Sequence, residues 1–126
     1  MADPHFEHEG VIRMSARPYS TAEEMGAEII GRINENVKRT DVLYMLGDIC
    51  WKSNIEKWIK QIKCRTLHLI WGNHDRNSFV KYFKTAKDTG MVKLLDGTKC
   101  FMSHYAHAYW PESHRNAYHL YGHNHF

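Results

Sequence analysis

Four times in this chain an apolar, β-prone run stops at a cluster of Asp, Asn or His. Gly47-Asp48 follows Val42-Leu43-Tyr44-Met45-Leu46, and Gly72-Asn73-His74-Asp75 follows Leu67-His68-Leu69-Ile70-Trp71. His104 follows Cys100-Phe101-Met102-Ser103, and Gly122-His123-Asn124-His125 follows Ala117-Tyr118-His119-Leu120-Tyr121. A fifth cluster, Asp3-Pro4-His5, stands at the start. In α/β proteins, sites gather in the crevice beyond the carboxyl ends of strands. Nitrogen and oxygen donors brought there from separate strands are what a metal centre needs. The pattern therefore constrains fold and chemistry together.

Between these runs the helical signals fall into place. Thr21 with Glu24 reads as a capping box, and Met25, Ile29, Ile30, Ile33 and Val37 mark one face of a helix from Thr21 to about Lys38. Ser53 with Glu56 reads as a second box, followed by Ile55, Trp58, Ile59 and Ile62 at helical spacing. Strands are expected at Val42–Leu46, Thr66–Trp71 and Tyr118–Tyr121, and a short helix from about Ser78. Asp96-Gly97 predicts a hairpin between Met91–Leu95 and Lys99–Ser103. Residues 105–116 read as a loop rich in His and aromatics. Strands alternating with helices imply a layered α/β core, and 126 residues suit one domain.

Composition narrows the functional classes. No apolar run approaches membrane-spanning length, and no signal-peptide pattern follows the start, so a cytoplasmic address is expected. Cys50, Cys64 and Cys100 form no CxxC pair, which argues for buried thiols over a disulfide framework or a cysteine zinc site. Net charge is +3, split into −4 over residues 1–51 and +7 over residues 52–126. A basic half can steer an anionic substrate, but Lys52, Lys57, Lys60 and Lys63 read better as the wet face of a helix.

The clusters supply specific donors. In Asp3-x-His5 and His123-x-His125, positions i and i+2 of an extended chain share a face and can reach one ion. Asp48 offers a carboxylate able to bridge two cations, Asn73 a neutral carbonyl oxygen and His104 an imidazole. Mixed N/O donors without thiolate favour Mn, Fe, Zn, Ni or Mg over soft metals.

Taken in order, D-x-H, G-D, G-N-H-D, H and G-H-x-H resemble the calcineurin-like metallophosphoesterase family from Asp3 to His125. The stretch Ser103-His104-Tyr105-Ala106-His107, with Trp110, Ser113-His114 and Leu120-Tyr121-Gly122-His123, is most similar to small prokaryotic and phage members. The resemblance implies an αββα sandwich with a two-metal site, manganese foremost. It implies Asp3, His5 and His125 at one metal and Asn73, His104 and His123 at the other, with Asp48 bridging. It also implies that His74 contacts the substrate and assists the leaving group, and that Asp75 orients His74. Arg76 joins Asn73 and His74 as a candidate substrate contact. Arg76 and Arg115 read equally as phosphate clamps or surface arginines. His8, His107 and His114 are either auxiliary contacts or idle loop histidines. Trp51, Trp71 and Trp110 read as a base or sugar pocket or as packing.

The implied activity is phosphoester hydrolysis, with a phosphodiester of nucleotide or nucleic-acid type foremost. The alternatives are a phosphomonoesterase or a non-catalytic metal-binding remnant. The family carries an apolar strand before its first Asp and further strands after its last His. The expectation is therefore one partial domain, 1–126, with its first and C-terminal strands missing and with self-association through exposed strand edges. Glu7 stands where close relatives have Gly, so a tight turn there is not expected.

Overall fold

The computed structural model, which describes residues 1–125, gathers the apolar runs into two three-stranded sheets. In the first, β1 (Val42–Met45), β2 (Thr66–Ile70) and β3 (Thr85–Lys87) are all parallel. In the second, β4 (Thr89–Lys93) pairs antiparallel with β5 (Lys99–Ser103), and β6 (Tyr118–Leu120) lies parallel to β5. The β4–β5 connection is the expected hairpin: Gly97 takes φ 88, and Leu94 N–H donates to Thr98 O.

Alternation along the strands separates two layers of core. Leu43, Met45, Leu67 and Leu69 pack against Ile30 and Ile33 of helix α2 (Ala22–Asn36) and Trp58 of helix α3 (Ile55–Ile59). The opposite face sends Leu46 and Ile70 onto Met102 of the second sheet. Full burial of side chains such as Trp58 contributes roughly 1.5–3 kcal/mol each. The far face of β5, carrying Phe101, is covered by the rings of His107 and His119.

Helix α2 starts where the capping signal puts it. Thr21 Oγ1 accepts from Glu24 N–H at 3.1 Å, and Glu24 Oε2 accepts from Ser20 N–H at 2.8 Å. The second capping box does not form. Asn54 precedes α3 without a side-chain cap, and Glu56 engages Lys60 and Tyr82 instead. The segment expected as a helix from Ser78 is a 3₁₀ turn, Asn77–Tyr82. Lys57 and Lys60 pair with Glu23 and Glu56 on the surface, as the wet-face reading expects. All three cysteines are free and buried.

Two elements carry no clear sequence signal. Helix α1 (Glu9–Met14) is six residues long and buries Val11 and Ile12 against Ala22 and Met25. Strand β3 has only three residues. Among the described residues no regular strand precedes β1, yet the place beside β1 is filled. Leu46 N–H donates to Met1 O at 2.7 Å, His5 N–H to Asp48 O at 3.0 Å, and Phe6 N–H to Ile49 O at 2.9 Å. Phe6 then stacks on Trp58, with ring centroids 4.9 Å apart. Asp3 and His5 are thus fixed and buried without a regular strand of their own. Among the described residues no helix is long and apolar enough to cross a membrane.

Candidate metal centre

All four strand-end clusters and Asp3-Pro4-His5 converge. Gly47 and Gly72 make the approach of β1 to β2 feasible. A Cβ on Gly47 would lie 2.6 Å from Gly72 Cα, and one on Gly72 would lie 2.3 Å from Asp48 Oδ1. Two sets of donors result. Asp3, His5 and His125 bring one ligand atom each to within 4.8 Å of one another, and Asp48, His104 and His123 do the same. Asn73 Oδ1 adds to the second set, 3.1 Å from His104 Nε2. Between the sets stands Asp48 Oδ2, 3.6 Å from His5 Nε2 and 3.5 Å from His104 Nε2.

Protons alone leave this donor set poorly satisfied. His104 Nδ1 lies 2.9 Å from Leu46 O, so Nδ1 carries a hydrogen, and Nε2 faces Asn73 Oδ1 and Asp48 Oδ2. His5 Nε2 and His125 Nε2 face each other at 3.0 Å. Asp3 Oδ1 is buried without a hydrogen-bond partner among the described residues. An imidazole fixed at one nitrogen by a carbonyl and open at the other is the usual posture of a metal ligand. Two divalent cations of the borderline or hard class fit these residues.

The backbone that holds these side chains is not the one expected. Asp3, His5, Asp48, His123 and His125 all have positive φ, between 50° and 68°. The i, i+2 pairs therefore do not share a face of an extended strand; left-handed turns aim them. Non-glycine residues in that region cost of order 1 kcal/mol each, and such strain collects at functional sites. Glu7, at φ 64, makes a left-handed turn without glycine, correcting the expectation for that position.

Several supports were invisible in the sequence pattern. Arg17, half-buried, donates through Nη2 to Asp3 O at 2.8 Å and through Nη1 to Pro4 O at 3.1 Å. Ser15 Oγ lies 2.8 Å from His125 Nδ1. Asp3 Oδ2 accepts from His123 N–H at 2.9 Å, joining the two ligand pairs. Ser15, Arg17, Asp3 and His125 line a cleft of about 410 Å³. No periodicity or motif singles out Ser15 or Arg17; only their position just before a capped helix hinted that they lie on a turn.

Asp75 departs from its expected role. Its carboxylate accepts three backbone N–H groups, from Asp48 at 3.0 Å, Ile49 at 2.8 Å and Gly72 at 2.8 Å. Both oxygens are committed to the backbone, so Asp75 clamps the Asp48 turn and does not orient the His74 ring. His74 sits over Asp48 instead. Its N–H donates to Asp48 Oδ1 at 2.9 Å, and its Nε2 is 3.9 Å from Asp48 Oδ2, with the ring 39% exposed.

Electrostatics distinguish the groups. Burial pushes the Asp3 and Asp75 carboxyls up. Burial acts on Asp48 too, but the hydrogen bonds from His104 and from His74 N–H outweigh it and hold its carboxyl below the usual range. Burial opposes charge on His104, yet its bonds to Asp48 and to Leu46 O leave it titrating above its ordinary value. Burial drops His5 from 6.5 to about 3 and lifts the Cys50 thiol to about 12.

The remaining candidates divide. His8 reaches the site, its Nδ1 3.4 Å from His5 Nδ1 and its ring stacked on Trp51. Arg76 lies near His74 and donates to Trp51 O at 3.2 Å. Arg115 does not; it lines a pocket with Gly97 and Lys99, at the end of β5 away from His104. His107 and Trp110 lie with His119 on the outer side of the second sheet. Trp71 packs against the main core, and His114 is exposed in the 105–116 segment.

Comparisons with known proteins speak to the family and the fold. A domain described as the calcineurin-like phosphoesterase superfamily domain matches residues 25–126. An uncharacterized protein of Methanocaldococcus jannaschii is 31% identical over 98 residues, covering 75% of this chain and 54% of that protein. The crystal structure of a protein of unknown function from Aquifex aeolicus superposes with a TM-score of 0.72 at 26% identity, covering 92% of this chain and 64% of that one. The chain thus spans about half the length of the curated relative it matches.

Proposed function

This chain belongs to the calcineurin-like phosphoesterase superfamily, and from that membership we propose that it is a metal-dependent phosphodiesterase with a dinuclear centre. Asp3, His5 and His125 would hold one cation and Asn73, His104 and His123 the other, with the Asp48 carboxylate between the two sets. Manganese is the favoured metal, with Fe, Zn, Ni or Mg also suited to the donor chemistry. When bound, such a pair lowers the pKa of water and neutralises charge on the phosphoryl group. The observation that supports the reading best is the position of Asp48 Oδ2, nearly equidistant from a nitrogen of each set.

The chain's own groups divide the work. Asp75 locks the turn carrying Asp48, so the bridging carboxylate does not swing. The Leu46 carbonyl fixes the His104 tautomer, with Nε2 free to ligate. Exposed His74 is the group placed to donate a proton to the departing oxygen. Arg76 is placed to hold a phosphoryl oxygen. The substrate is a phosphoester, with a nucleotide or nucleic acid as its natural class.

Turnover of bis(p-nitrophenyl) phosphate and p-nitrophenyl phosphate, with and without Mn, tests the proposal. Diester hydrolysis should require the metal, exceed monoester hydrolysis, and vanish in Asp48→Asn. Metal-independent turnover that survives this substitution would overturn it.

A further inference from the structure

Beside the donor clusters lies a recess of about 230 Å³ with three walls, Trp51, His74 and Arg76. Trp51 leaves 41% of its surface exposed, although its ring is braced. It stacks on His8 with centroids 3.9 Å apart and planes 4° from parallel. His8 in turn leans on buried His5. His74 closes the inner end, its ring 4.8 Å from that of Trp51 and its Nε2 3.9 Å from Asp48 Oδ2. Arg76 is tethered by one donor to Trp51 O, and among the described residues it enters no ion pair. The result is a fixed aromatic plate beside an uncommitted guanidinium, opening directly off the phosphoryl site.

We infer that Trp51 and Arg76 form a subsite for a nucleotide-like substituent of the substrate, with a flat ring laid against the exposed part of Trp51 and a phosphoryl oxygen on Arg76. Stacking accepts any base because every base has a π-face. The planar guanidinium suits phosphoryl oxygens and adds a cation near the ring edge. This rests on the phosphohydrolase reading and names the residues that would recognise the base of its substrate.

The test uses two non-hydrolysable probes with the same head group, the phosphonate analogues of adenosine 5′-monophosphate and of ribose 5-phosphate. Each is titrated calorimetrically into Mn-loaded protein. The adenosine probe should bind about tenfold more tightly, the scale of one stacked base. That ratio should collapse towards one in Trp51→Ala and persist in Trp51→Phe, while Arg76→Met should weaken both probes together and keep the ratio. A ratio near one in the unmodified protein, or a tenfold ratio surviving Trp51→Ala, overturns the subsite. Ring-dependent binding without turnover of any ester would sink the hydrolase reading and leave the subsite standing. Turnover with no ring preference would sink the subsite alone.

Discussion

The two donor sets are built in different ways. The inner set, Asp48, Asn73 and His104 with His123, stands mainly on the ends of β1, β2 and β5. Backbone contacts fix its members: Asp75 clamps the Asp48 turn, and Leu46 O fixes the His104 tautomer. The outer set, Asp3, His5 and His125, has positive φ at all three members, against two, Asp48 and His123, in the inner set. It contains Asp3 Oδ1, which has no hydrogen-bond partner among the described residues, and brings two imidazole nitrogens to 3.0 Å. Backbone groups hold the inner set's side chains, whereas the outer set's donors face one another. A site can thus combine a half whose donors are satisfied by the sheet and a half whose donors are left for a ligand.

The sharpest way to break the comparison is to remove the inner clamp. Asp75→Ala leaves three backbone donors unpaired, and urea unfolding should show a loss of about 3 kcal/mol or more. The neighbouring, exposed His74→Ala should leave the urea midpoint nearly unchanged. Equal losses from both would remove the distinction.

Acid should separate the sets next. His5 stays neutral in the folded chain down to about 3, against 6.5 when unfolded. Its contribution is therefore present above pH 6.5 and lost as pH falls from 6.5 towards 3. His104 has the opposite sign: its raised pKa stabilises below its unfolded value, and that stability fades as pH rises through the folded value. In EDTA, urea midpoints across this range should fall on acidification, and His5→Gln should flatten the decline. An unchanged slope in that variant would show that His5 is not the group responsible.

Arg17→Met probes the outer set through its backbone. Removing the bonds to the Asp3 and Pro4 carbonyls should weaken the outer cation about tenfold or more, leaving the inner one in place. Calorimetric Mn titration should then show one shifted step and one retained step; two shifted steps would mean that Arg17 supports the whole centre. The smallest expected effect is at Glu7, where Glu7→Gly relieves a left-handed residue and should raise stability by up to about 1 kcal/mol.

Much of this was legible in the residues. Donor chemistry is written in side-chain identity, so the donors could be named from the residue clusters, and their division into two sets from the family resemblance. The Asp96-Gly97 hairpin and the Thr21 cap were legible because local turn chemistry decides them. Geometry that depends on tertiary approach was not. Nothing in Asp3 or His5 announces positive φ, because glycine is the usual signal for that region. The role of Asp75 depends on N–H groups from a turn 26 and 27 residues away. Arg17 carries no sequence signal because its acceptors are main-chain carbonyls. Helix α1 was too short for its two buried apolar residues to establish a period.

The outer set also carries a sense of time. Asp3 and His5 meet His123 and His125 across 120 positions. On a ribosome adding 5–20 residues per second, the early pair waits roughly 6–24 s for its counterparts. Until then it lacks the His125 imidazole and the bond from His123 N–H. Firm loading is thereby deferred until both ends of this span have been made and have folded together.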